Sequence, residues 1–384
     1  MRSKKNIIIM LCISLLQGMV FYGSIATLYR ENAGIGIFEI TIIESVSLVM
    51  SLAMELPWGL LADRIGYKTT MVICSVLFFI SKLIFWKADS FGAFLAERLL
   101  LAVVVSGLSG VDASVLYLSA GEERSQRVFG WYDAAGTAGL LLSTLLYALL
   151  VGSNYRLAAL LTVYTYGAAA LLSLLLEEVR PALKEKKSSP LAGFRTSVQA
   201  FRHTRGLLPL VLCEALLGTA VQNVSVFLNQ LQYARCGMTP SVIGFCALAT
   251  MAAGLCGPLS EPLTRRFREY AFGQSLLLFC ALACLTLAVT GSAVLSVIAV
   301  TVLCGASALF TPLSAALENR VVVSDDRATA LSVNALIIDG IAAAADPVIG
   351  RLAEKSLSGT MTFCAAMCMG AMVCFSRAAV KHRA

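Results

Sequence analysis

Apolar runs of roughly 20 residues recur along the whole chain and limit what it can fold into. Backbone polar groups have no water to bond in lipid, so only helices and closed barrels span a membrane. A barrel strand would alternate apolar and polar residues, and these runs do not. Of the 384 residues, 58% are hydrophobic and 14% charged, whereas soluble proteins carry about 25% charged residues. The sequence therefore predicts an all-α membrane protein.

Twelve runs are long enough to cross about 30 Å of hydrocarbon as helices. The first, from Ile7 to Leu28, is too long for the apolar region of a secretory signal and shows no cleavage site. The predicted helices cover residues 6–29, 36–58, 69–87, 92–118, 128–151, 156–176, 207–229, 241–260, 271–291, 293–317, 328–349 and 357–377.

The basic residues predict the orientation, because Lys and Arg concentrate on the cytoplasmic side. With the amino terminus inside, the cytoplasmic segments hold 22 Lys and Arg and the outer loops hold six. We therefore expect a multi-pass protein of the cell (plasma or inner) membrane with both termini in the cytoplasm.

The longest polar stretch, residues 177–206, divides the chain into six and six predicted helices. We expect an amino-terminal bundle over 1–176, a cytoplasmic linker over 177–206 and a carboxyl-terminal bundle over 207–384. Apolar and basic residues near helical spacing in the linker favour a short basic helix on the inner membrane face. A plain charged linker is the alternative.

The two halves resemble each other in sequence. The pattern Gly-x-Leu-x-acid occurs at 59–63 and again at 257–261, 198 residues later, and Arg127 and Arg327 open two helices 200 residues apart. These matches support a duplicated six-helix unit and two pseudo-symmetric bundles. Parallel repeats of this kind place a substrate site near the midplane, between the halves.

The stretch GLLADRIGYK, 59–68, is a polar island between two apolar runs. It resembles the signature that follows the second helix in the major facilitator superfamily. The resemblance implies a twelve-helix transporter and a conformational latch that joins the bundles when the cytoplasmic side is closed. The matching positions are Gly59, Asp63, Arg64, Gly66 and Lys68.

Other segments point to the same superfamily. RATALS, 327–332, resembles the start of its eleventh helix, and SGVDASVLY, 109–117, resembles the end of the fourth helix in its drug-exporter-like members. Two features depart from proton-driven antiporters. The fifth helix reads AAGTAGLLL, 134–142, without the usual proline, and Arg98 lies well toward the outside.

Acidic residues at membrane depth are the candidates for proton coupling. Asp339 is 11 residues into its predicted helix, so about 16 Å deep, and unpaired it would cost roughly 2.5–3.5 kcal/mol. Glu214 is the second candidate and Asp112, in the first half, the third. A neutral Asp339 bonded to Asn334 or to backbone is the alternative.

Four charged residues lie in the outer part of the second to fourth helices: Glu44, Lys82, Glu97 and Arg98. We expect them to pair with one another or to extend toward the membrane surface.

The resemblance also implies that the first, fourth, seventh and tenth helices line a cavity. Aromatic and uncharged polar residues there suit an amphipathic organic ligand, and ordinary helix packing is the alternative for each. The cavity candidates are Gln17, Phe21, Tyr22, Gln222, Asn223, Phe227, Phe310 and Asn334.

The sequence shows none of the motifs that are typical of an enzyme active site or a metal site. It has 12 cysteines and two histidines, no CxxC pair, no catalytic His or Cys constellation and no P-loop. We therefore expect the cysteines to pack as small apolar residues. We expect no metal and no cofactor. We expect a monomeric secondary transporter that exports amphipathic small molecules in exchange for protons, with no nucleic-acid partner. Uptake of a sugar or another metabolite in the same fold is the alternative.

The topology is tested by cysteine labelling of an otherwise cysteine-free variant. Ser188→Cys should stay protected from an impermeant outside reagent, because the 22 basic residues hold its segment in the cytoplasm. Arg235→Cys should be labelled. The reverse pattern would overturn the assignment.

Overall fold

A computed structural model describes residues 2–179, 207–321 and 327–383, and the regular structure in these ranges is helical throughout. Contacts divide the chain into two compact units. The first comprises Met1–Ile35, Val46–Lys186 and Thr239–Phe245, and the second Gly36–Ser45, Lys187–Met238 and Cys246–Ala384. The predicted linker over 177–206 lies almost entirely outside the described residues, so its predicted helix and the domain boundaries at its ends stay predictions.

The first half of the chain forms long apolar helices, several of them interrupted. Its helices are α1 (Arg2–Gly18), α2 (Ala26–Asn32), α3 (Ile37–Ile65), α4 (Tyr67–Lys87), α5 (Phe91–Leu108), α6 (Val111–Ala120), α7 (Glu122–Leu146) and α8 (Tyr155–Ser173).

The second half repeats this pattern. Its helices are α9 (Leu207–Gln222), α10 (Asn229–Arg235), α11 (Pro240–Gly254), α12 (Ser260–Arg266), α13 (Glu269–Val289), α14 (Ala293–Val321), α15 (Arg327–Lys355) and α16 (Leu357–Arg383).

Within the described residues, 11 helical segments are long and apolar enough to cross a membrane, counting interrupted helices as one. The remaining predicted span corresponds to α15, which has 29 residues and length enough to cross. Its first side chains lie outside the described residues, and the rest of it carries Asp339, Asp346 and Arg351. The predicted all-helical membrane fold is confirmed.

The boundary expected at residue 58 is wrong. Helix α3 continues through the polar island to Ile65, and α4 begins at Tyr67. Only Gly66 separates them, with φ of +91°, a conformation that glycine adopts without strain. The polar residues lie where the helix would leave the hydrocarbon, so they extend it into water rather than form a loop.

Helices α1 and α7 pack with their backbones in close approach. A side chain at Gly18 would collide with the backbone of Gly136, and one at Gly139 with the carbonyl of Leu15. Small residues allow such contact between membrane helices. The stretch 134–142 therefore packs tightly against the first helix without the proline that antiporters carry there.

The cysteines behave as packing residues. All 12 are free, and the two i, i+4 pairs on α13 and α16 are fully buried. The described residues contain no group of three or more His, Cys, Asp or Glu that could hold a metal ion. The buried pairs are Cys280 with Cys284, and Cys364 with Cys368.

Candidate functional site

The first membrane helix is interrupted near its middle. Helix α1 ends at Gly18 and α2 begins at Ala26, with a short 3₁₀ turn at Gly23–Ile25 between them. The interruption frees backbone groups that a continuous helix would bond internally, and unbonded groups in hydrocarbon cost several kcal/mol each.

Three side chains of α8 bond these freed groups. They lie at i, i+3 and i+4, which is one face of a helix. Polar residues at this spacing in an otherwise apolar helix are a signal that sequence reasoning missed. The Phe21 N–H donates to Thr162 Oγ1 (3.0 Å), the Thr165 hydroxyl donates to the Met19 carbonyl (3.2 Å), and the Tyr166 hydroxyl donates to the Gln17 carbonyl (2.5 Å).

A buried ion pair lies beside this interruption in the first unit. Lys82 Nζ is 3.4 Å from Glu97 Oε1, and the two side chains are 5% and 2% exposed. The ammonium lies 5.2–5.8 Å from the ring centroids of Tyr22, Phe78 and Tyr166, distances typical of cation–π contacts. The expected pairing is confirmed for these two residues, and Lys82 does not extend to the surface.

The seventh membrane helix is interrupted at the corresponding position of the second half. Helix α9 ends at Gln222, a π-helical turn runs over Asn223–Leu228, and α10 begins at Asn229. Wide turns of this type occur mostly at functional sites. The two interruptions are about 200 residues apart, the same offset as the sequence repeat.

Asn223 bonds across this turn to another helix. Its side-chain amide donates to the Thr219 carbonyl at 2.9 Å and to Asp346 Oδ1 on α15 at 2.7 Å. Asn223 is 1% exposed and Asp346 is 2% exposed. The sequence analysis gives Asp346 no role, since nothing local in the sequence pairs it with Asn223.

A second group of polar side chains lies in the second unit, on α9, α14 and α15. Glu214 of α9 lies beside Ser314 and Glu318 of α14, and Glu318 also lies beside Asn334 of α15. Glu318 Oε1, Ser314 Oγ and both amide atoms of Asn334 are buried without a hydrogen bond of good geometry. No Lys or Arg among the described residues interacts with either glutamate.

The other two acidic candidates have different surroundings. Asp339 is half-buried on α15, and no hydrogen bond or ion pair joins it to a described residue. Asn334, the partner considered for it, lies beside Glu318 instead. Asp112 lies in the first turn of α6, where its carboxyl accepts from the Ala113 N–H at 2.7 Å. That contact is local, within the first turn of the helix that begins after Gly110.

Six of the eight predicted cavity residues fall at or near the interruptions, and Phe310 and Asn334 lie on α14 and α15. Gln17 is half-buried with its amide nitrogen unbonded, and Gln222 is exposed. The aromatic candidates are packed. Tyr22 stacks on Phe85 with ring centroids 4.0 Å apart, Phe310 contacts Phe375 at 5.3 Å, and Phe21, Phe227 and Phe310 are buried.

The latch residues are described only in part. Arg64 is exposed, Lys68 is half-buried, and Gly59 and the Asp63 side chain lie outside the described residues. The amino end of α4 is held by Glu178, whose Oε1 accepts from the N–H groups of Tyr67 (3.1 Å) and Lys68 (3.4 Å). A carboxylate at a helix amino terminus meets the positive end of its dipole. The latch assignment of Asp63 stays a prediction.

The described residues thus contain 11 helical segments of membrane-spanning length, with irregular segments in the first and seventh membrane helices. The chain belongs to the Major Facilitator Superfamily, whose sequence model matches residues 7–347. A comparison with curated proteins found no match.

Solved structures share the fold. The nucleoside transporter NupG matches with a TM-score of 0.82 at 15% identity, over 98% of this chain and 98% of that chain. A bacterial homologue of the human lysosomal transporter Spinster, crystallised inward-facing and unoccupied, matches with a TM-score of 0.75 at 18% identity, over 100% and 97%. An auto-inhibited POT family peptide transporter matches with a TM-score of 0.74 at 15% identity, over 98% and 97%. Family and fold identify the chain as a transporter rather than an enzyme.

Removing one hydroxyl tests the interruption of the first helix. Thr162→Val should leave the buried Phe21 N–H without an acceptor and destabilise the protein by about 1–3 kcal/mol, seen as a lower unfolding midpoint in detergent. Thr162→Ser keeps the hydroxyl and should unfold near the parent's midpoint. A valine variant as stable as the parent would show that another group meets this N–H.

Proposed function

We propose that this protein is a secondary transporter that works by alternating access and exports amphipathic small molecules in exchange for protons. The observation that carries the proposal is the pair of interrupted helices at corresponding positions of the two halves, Gly18–Ala26 and Asn223–Leu228. Interrupted membrane helices in corresponding positions of a repeat mark the substrate and ion sites of transporters.

The side chains at the interruptions support an amphipathic ligand. Gln17 and Gln222 are uncharged hydrogen-bonding groups, and the aromatic Phe21, Tyr22 and Phe227 adjoin them in sequence. Binding sites for organic ligands combine apolar walls with a few polar groups in this way. The membrane-depth part of the second half contains acids but no Lys or Arg, which disfavours an anionic substrate.

The acids of the second unit support proton coupling. Glu214 and Glu318 are adjacent carboxyls without a basic partner among the described residues, and two adjacent buried carboxylates resist being ionised together. Asp339 lies on the neighbouring helix α15, half-buried and equally without such a partner. Groups of this kind can hold a proton in one state of the cycle and release it in another.

The latch and the orientation complete the proposal. Asp63, Arg64 and Lys68 would hold the cytoplasmic side closed, and both termini would lie in the cytoplasm of the cell membrane. The exposure of Arg64 and the glycine turn at Gly66 are consistent with a water-facing contact at the end of α3. The protein would act as a monomer without a cofactor.

Transport direction is tested in vesicles of opposite orientation. With an inward-directed proton gradient across the native membrane, amphipathic cations should accumulate in inside-out vesicles and be depleted from right-side-out vesicles. Collapse of the pH gradient by an ionophore should abolish both effects. Accumulation in right-side-out vesicles would instead establish uptake, the alternative for this fold.

The acids are ranked by their effect on coupling. Asp339→Asn should abolish pH-gradient-driven transport but spare downhill substrate exchange, because exchange needs no net proton movement. Glu214→Gln should reduce driven transport less, since Glu318 remains beside it. Asp112→Asn should have the smallest effect, because its carboxyl accepts from the backbone in the first turn of α6. Uphill transport by Asp339→Asn at the parent's rate would remove Asp339 from the proton route.

A further inference from the structure

Asp346 is a buried carboxyl group without a counter-charge. It is 2% exposed, and its one hydrogen bond joins Oδ1 to the Asn223 amide at 2.7 Å. Its other oxygen, Oδ2, is buried and unbonded. No Lys or Arg in the described part of the chain interacts with it, and the ionisable group that faces it is Glu44 of α3. A buried carboxylate in such surroundings needs a proton or a metal cation.

The oxygen of the Asn223 amide points to the same need. Its nitrogen donates to two acceptors, the Thr219 carbonyl and Asp346 Oδ1, so the orientation of the amide is determined by its contacts. The amide oxygen, Oδ1, is buried and without a donor. The hydroxyl of Thr219, one helical turn earlier, is likewise buried and unbonded.

Three unbonded oxygens thus belong to three residues in contact: a carboxylate, an amide carbonyl and a hydroxyl. A proton on Asp346 would bond a single acceptor, whereas a cation lying among these oxygens would be coordinated by all three. Hard cations bind oxygen ligands of these types. The charge of these three ligands is that of one carboxylate, which suits a monovalent ion.

The position in the fold agrees with a cation site. Asn223 is the first residue of the π-helical turn that interrupts the seventh membrane helix. Such wide turns within membrane and soluble helices occur mostly at functional sites. The same turn lies at the position that corresponds to the interruption of the first helix.

We propose that Asp346, Asn223 and Thr219 form a sodium-binding site in the second unit. The ion would be coordinated by Asp346 Oδ2, Asn223 Oδ1 and Thr219 Oγ1, and it would join the interrupted seventh helix to α15. The site is separate from Glu214 and Glu318, and the inference requires neither a particular substrate nor proton coupling.

Sodium binding is measured on the purified full-length protein in detergent, without substrate. Unfolding midpoints are recorded across a NaCl series at constant pH, with choline chloride keeping the ionic strength constant. The wild type should show a saturable rise in midpoint with sodium, because a ligand that binds only the folded state stabilises it. Equilibrium binding of radioactive sodium should saturate at one ion per chain.

Variants assign the response to the three residues. Asp346→Asn should lose the sodium response, and Thr219→Val should weaken it at least tenfold in apparent affinity. Thr219→Ser keeps the hydroxyl and should respond like the wild type. Asp339→Asn, two turns away on the same helix, should also keep the response. If Asp346→Asn fails to fold, the Thr219 pair still decides the outcome.

Three results would overturn the site. The first is a wild-type midpoint that changes with pH but not with sodium, which would mean that Asp346 holds a proton. The second is an equal rise in midpoint when potassium chloride replaces sodium chloride in the series, which would mean that the response is not specific for sodium. The third is a sodium response that Asp346→Asn retains. None of these bears on the vesicle experiment, so the transport proposal and the sodium site fail separately.

Discussion

Every backbone polar group at membrane depth must find a partner within the protein, and this requirement organises the structure. Continuous helices meet it by themselves. Where the first and seventh helices are interrupted, side chains take over, with Thr162, Thr165 and Tyr166 bonding the freed groups in the first unit. Asn223 does the same in the second unit, bonding the Thr219 carbonyl within its own helix. At the interruptions, polar side chains are stabilised at membrane depth because they bond backbone groups that the helix no longer bonds.

The two halves treat buried charge differently. In the first unit Lys82 is neutralised by Glu97 and surrounded by aromatic rings. The charge of this pair is compensated without a bound ion. In the second unit Asp346 and the glutamate pair have no basic partner among the described residues. Buried charge in the described residues is therefore distributed unequally between the two halves, and the proposed sodium site lies in the unit where these acids have no basic partner.

Much of the fold could be predicted because its signals are local. Apolar length predicts each helix, and the polar stretch 59–68 marks the boundary between the second and third. The predicted end of the second helix at residue 58 was wrong for a physical reason: hydropathy reports where lipid ends, and α3 continues into water as far as Ile65. Asp339 and Glu214 could be singled out as acids in apolar runs, but their surroundings could not.

The sequence by itself determined that this is a helical membrane protein of two similar halves in the Major Facilitator Superfamily, because hydrophobic length and a repeated motif depend on neighbours along the chain. Only the tertiary structure decided which acids have partners. Glu97 meets Lys82 across 15 residues, whereas Asp346 meets Asn223 across 123. A charge in lipid is neutral, paired or ion-binding according to what packs against it, and packing between distant helices leaves no mark in the local sequence.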